Sequence, residues 1–101
     1  MQNIILLDEN QSCFDSRRAN STDNIIGYPL INQTLDSILA KVLEWLRPFE
    51  GLCEDDGAII EVDNTLPYDG QPKIDSRNSG QKLVDILNGK GFRARLVSCT
   101  N

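Results

Sequence analysis

NQTLDSILAKVLEWLRPF, Asn32 to Phe49, is the stretch that decides the fold. Leu35, Ile38, Leu39, Val42, Leu46 and Phe49 recur three and four residues apart, which lines them along one side of an α-helix. Asp36, Ser37, Lys41, Glu44 and Arg47 fall on the opposite side. Asn32 or Thr34 can accept hydrogen bonds from the free N–H groups at the helix start. Pro48 removes a donor in the last turn, and Gly51 just beyond it closes the helix. Leu39 and Val42, at the middle of the stripe, are expected in the core. A stripe of this width needs a sheet or a second helix to cover it.

Upstream, Asn3 to Asp8 (NIILLD) is a short apolar run with a β-branched start, which reads as a strand buried on both faces. Asp8 to Asp23 is polar and rich in turn formers, so it reads as a long loop pinned at Cys13-Phe14. A loop of that length in a compact domain is either mobile or functional. Ile25 to Ile31 is apolar but broken by Gly27 and Pro29, which suits an edge strand or an irregular extended segment.

Downstream, Leu52 to Asp56 is an acidic turn, and Gly57 to Asp63 (GAIIEVD) is a second strand. The charge of Glu61 inside it predicts one face partly in water. Asn64 to Ser79, with Pro67, Gly70 and Pro72, reads as a second long loop. Gly80 to Asn88 is a second helix, capped by Asn78 or Ser79, with Leu83, Val84, Ile86 and Leu87 inward and Asn88-Gly89 as its stop. Gly91 to Cys99 alternates, with Phe92, Ala94 and Leu96 on one side and Arg93 and Arg95 on the other, as in a strand.

The 101 residues thus read as one α/β domain in the order β-α-β-α-β. Its sheet is three-stranded, or four-stranded if Ile25–Leu30 extends an edge. Strands that alternate with helices pair in parallel through right-handed crossovers. The first strand alone carries no charge, which predicts it at the centre, flanked by the other two. That arrangement puts the two helices on opposite faces. Open sheet edges are usually covered or paired, so a homodimer is expected.

Composition narrows the function. The chain has no histidine, which removes Ser-His-Asp and Cys-His nucleophile pairs and the zinc sets that include His. Cys13, Cys53 and Cys99 are odd in number and far apart, with no CxxC; reduced thiols in a cytoplasmic protein are the expectation. No apolar run is long enough for a membrane span, and the N-terminus has no signal-peptide pattern. The net charge of −5 argues against nucleic acid as partner. Charge is also uneven. Glu54, Asp55, Asp56, Glu61, Asp63 and Asp69 lie between Gly51 and Gly70 with no Lys or Arg among them, whereas the segment after Gly70 is mainly basic.

Three constellations carry candidate chemistry. Ligands of parallel sheets bind beyond the carboxyl ends of the strands, and there Asp8, Glu9 and Asp63, with Glu61 as a further candidate, can converge on Mg²⁺, a hard cation that takes oxygen ligands. The plainer account of Asp at strand ends is turn formation, and no metal or other cofactor is expected. Glu61-Val62-Asp63 resembles the Glu-x-Lys of metal-dependent nucleases, but Asp63 stands in the Lys position, where it would repel phosphate. Arg77, Ser79 and Lys82 open a helix whose free N–H groups can meet an anion, with helix capping as the plainer account. Finally, Asp55 and Asp56 can form an acidic dock for a basic partner, since complementary charge speeds association. Small acidic inhibitors and immunity proteins of toxic nucleases use that device. The leading expectation is a non-enzymatic protein-interaction domain, inhibitor-like or adaptor. The alternative is an anion or small-molecule binder, or a Mg²⁺-dependent enzyme, with carboxylates at the strand ends.

Overall fold

The structure is a computed structural model and describes residues 2–8, 10–27, 34–53, 57–64, 66 and 79–97. Strand and helix alternate throughout: β1 (Asn3–Leu7), α1 (Gln11–Ala19), β2 (Asn24–Ile26), α2 (Leu35–Leu46), β3 (Ala58–Asp63), α3 (Ser79–Gly89) and β4 (Ala94–Val97). The α/β class and the parallel sheet are as the sequence leads one to expect. The four strands form one sheet in the order β2-β1-β3-β4, with every pair parallel.

Three features depart from expectation. The polar stretch after Asp8 is a helix, because Asn10 caps it, accepting from Ser12 N and Cys13 N, and because Cys13 and Phe14 turn inward. The last strand pairs with β3 and not with β1, in a register that sets Glu61 against Arg95. The element order is therefore β-α-β-α-β-α-β, and β1 lies between β2 and β3. In addition, α2 and α3 share a face. The step from β1 to β2 runs one way across the sheet and the step from β2 over β1 to β3 runs the other. Right-handed crossovers then put α1 on one face and α2 and α3 on the opposite one.

The two faces make two cores. Ile5, Leu7, Ile60 and Val62 meet Ile38 and Val42 of α2 and Leu83, Val84 and Leu87 of α3, closed by Leu66. Ile4, Leu6 and Ile25 meet Phe14 of α1. Thr34 caps α2, accepting from Ser37 N at 3.1 Å. Ile38 and Val42 form its fully buried centre, while Leu39 is only half-buried. Arg47–Phe49 then tighten into a 3-10 turn around Pro48, and Gly51 adopts φ +80°. Cys13 is disulfide-bonded, against the expectation of reduced thiols, and Cys53 is free and exposed. Disulfides persist in oxidising surroundings, so the cysteines no longer support a cytoplasmic placement. Among the described residues no helix is long and apolar enough to cross a membrane.

Candidate functional site

The winding direction reverses between β1 and β3. Loops leaving their carboxyl ends diverge to opposite faces and open a crevice, the place where open α/β sheets bind ligands. The order β2-β1-β3-β4 matches the first four strands of one of the two common doubly wound arrangements.

Two acids stand at this crevice. Asp8 follows the last residue of β1, and Asp63 ends β3. The register that pairs Leu7 with Val62 carries one step further to Asp8 and Asp63, which makes them neighbours. Strand alternation turns both toward the α1 face. Both are buried, at 3% and 8% exposure. Asp8 accepts from Asn10 N at 2.8 Å, which turns the chain into α1. The Asp63 carboxylate has no hydrogen-bond or ionic partner among the described residues.

Glycines bring backbone close on either side of the pair. A Cβ on Gly80, in the first turn of α3, would lie 2.1 Å from the Asp63 carbonyl oxygen and 2.9 Å from that of Asn64. Only glycine lets α3 start against the end of β3. Gly27, just after β2, has φ +111°, and a Cβ there would sit 2.7 Å from the Leu6 carbonyl oxygen. The starts of α1 and α3 both lie at this carboxyl edge, and at α1 the Asn10 side chain already accepts from Ser12 N and Cys13 N.

One turn of the pleat below Asp63 lies Glu61, which is fully buried and not half in water as its charge suggests. Arg95 of β4 donates to its Oε2 through Nε at 3.0 Å and also through Nη2. Arg17 of α1 brings Nη2 to 2.8 Å from Oε1, close enough for ion pairing but not aligned as a hydrogen bond. Glu61 is thus the centre of a structural ion triad, and it is not available as a nuclease-type ligand.

No known family model, curated protein or solved structure matches this chain. The geometry therefore carries the functional reading.

Of the residues singled out from sequence, Asp8 and Asp63 come together. Lys82 is on the exposed side of α3 and already has an interaction partner. Ser79 opens α3, and its side chain, like Glu9, Asp55, Asp56 and Arg77, lies outside the described residues. Among the described residues, no three His, Cys, Asp or Glu side chains group as metal ligands. Two concavities lie away from the carboxyl edge. One, of about 230 Å³, is enclosed by the end of α2, Cys53 and the approaches to β3 and β4. The other, of about 290 Å³, is lined by Ile59, Asn88 and residues 92–95. Sequence reasoning missed Asn10, Gly27, Gly80 and Arg17. For Arg17 the signal was its place three residues after Phe14, on the same side of a helix. Arg18, one residue on, stacks 5.7 Å from the Phe14 ring.

Proposed function

We propose that this domain binds a divalent cation of the Mg²⁺ type, together with a small anionic molecule, in the crevice between the carboxyl ends of β1 and β3. The observation that carries this reading is Asp63, a residue that is more than nine-tenths buried, whose carboxylate has no partner among the described residues and which lies beside Asp8. The Asp63 oxygens still reach solvent at the carboxyl edge, so an unpartnered carboxylate stands there open to a cation from outside. Turn formation accounts for Asp8, whose carboxylate holds Asn10 N, and leaves Asp63 unexplained. Two carboxylates are also what Mg²⁺ usually takes from a protein. It keeps several waters and completes its shell with phosphate oxygens from a substrate, in preference to an all-protein cage. The absence of a third ligand among the described residues is compatible with that pattern. The acidic dock at Asp55 and Asp56 lies outside the described residues, so the crevice is the better-supported site.

Thermal melts with and without millimolar Mg²⁺ test the proposal. Ligand at about 100 times its Kd stabilises the native state by about 2.7 kcal/mol. The melting temperature of the natural chain is expected to rise, and Asp63→Asn is expected to remove that rise. A melting temperature indifferent to Mg²⁺, Mn²⁺ and Ca²⁺ would refute the proposal.

A further inference from the structure

The ion triad has a second consequence, which rests on the cation site just proposed and names the ligand's other half. Two guanidinium groups surround one carboxylate, so the cluster carries a formal charge of +1. Arg95 engages Glu61 through Nε and Nη2, and Arg17 through Nη2 alone. Each guanidinium has five N–H donors, so several are left over. Their side chains are 52% and 38% exposed, whereas Glu61 is fully buried. The buried carboxylate therefore fixes two accessible cations in place from beneath. Arginines held in this way have lost much of their freedom before a ligand arrives, which lowers the entropy cost of binding.

Their position relates them to the cation site. Glu61 and Asp63 are two residues apart on β3 and project to the same face, with Cα atoms about 6.6 Å apart along the strand. On that face α1 packs on Ile4 and Leu6 of β1 and Ile25 of β2. Val97 of β4 also packs against that cluster, and Ile59, Glu61 and Asp63 of β3 are buried on this face. Over β3, Arg17 reaches Glu61 from α1 and Arg95 reaches it from β4. Asp63 is the last residue of β3, two residues beyond the carboxylate that holds the two guanidinium groups.

We propose that Arg17 and Arg95 form an anion seat for a phosphate group, which lies between them and a cation held by Asp8 and Asp63. The ligand class is a small phosphate-bearing molecule that chelates Mg²⁺. Guanidinium forks suit phosphate geometry, and a phosphate group is of the size to bridge the two-residue spacing.

Calorimetric titration of the full chain with inorganic phosphate, without and then with Mg²⁺, tests the seat. Without Mg²⁺ the titration reads the arginines alone; Mg²⁺ titrated alone reads the acids. The natural chain is expected to bind phosphate, more tightly when Mg²⁺ is present. Arg95→Gln and Arg17→Gln are each expected to weaken phosphate roughly tenfold or more while Mg²⁺ alone binds as before. Should either variant fail to fold, Arg95→Lys keeps a charge beside Glu61 but loses the fork, and several-fold weaker phosphate binding is expected of it. A natural chain that ignores phosphate overturns the seat, as does phosphate affinity unchanged within about twofold in the variants. Loss of Mg²⁺ binding with phosphate binding intact would instead strike the carboxylate site and spare the arginines.

Discussion

Burying a carboxylate inside a sheet costs several kcal/mol unless opposite charge meets it. At Glu61 that charge comes from two directions, Arg17 from the helix above and Arg95 from the neighbouring strand. Replacing both arginines by Met would leave the carboxylate buried and alone. The double variant is expected to lose about 3–5 kcal/mol in urea unfolding, and either single replacement clearly less. A second test at this scale compares two glycines of α3. Gly80→Ala drives a Cβ into the Asp63 carbonyl oxygen and is expected to cost about 1–3 kcal/mol. Gly89→Ala meets nothing within 4 Å and is expected to be neutral or to stabilise by up to about 1 kcal/mol. Equal effects at the two positions would contradict the close approach of α3 to β3.

Among the elements, α2 is the one whose sequence states its structure most plainly, and its packing can be tested directly. Ile38 is fully buried between the sheet and α3, whereas Leu43, five residues on, is 54% exposed. Ile38→Ala is expected to cost about 2–5 kcal/mol and Leu43→Ala less than about 0.5 kcal/mol, both read from urea melts. The stripe was legible because six apolar residues repeat at helical spacing. The helix α1 was not legible, because Cys13 and Phe14 are its only buried residues and the rest of QSCFDSRRA is polar. Its formation depends on the Asn10 cap and on contacts with β1 and β2 that are distant in sequence. The alternation of Phe92, Ala94 and Leu96 with Arg93 and Arg95 did give β4 its correct sides, with Ala94 toward the α2–α3 core and Arg95 toward Glu61.

At the scale of the whole molecule, hydrophobic pattern reports how deeply a strand is buried but not which strand lies beside it. The clean run of β1 correctly marked an inner strand. The charge in β3 pointed to the sheet's flank, because the cations that neutralise Glu61 lie 34 residues downstream and, for Arg17, in a segment read as loop. Once β3 is inner, the reversal of winding between β1 and β3 follows, and with it the crevice at Asp8 and Asp63. Those two acids were legible from sequence as strand ends. That Asp63 is buried and unpartnered among the described residues was not, since a strand-end Asp gives no sign in sequence of what packs around it. The central claim is that this crevice is where the domain binds its ligand, and amide-resolved NMR during a Mg²⁺ titration tests it most directly. Shifts are expected to gather at Asp8, Asn10, Gly27, Asp63, Asn64 and Gly80 and to vanish in Asp63→Asn. Shifts scattered over the surface, centred on the amino edge near Cys53 and Phe92, or equally strong in the Asp63→Asn variant would contradict it.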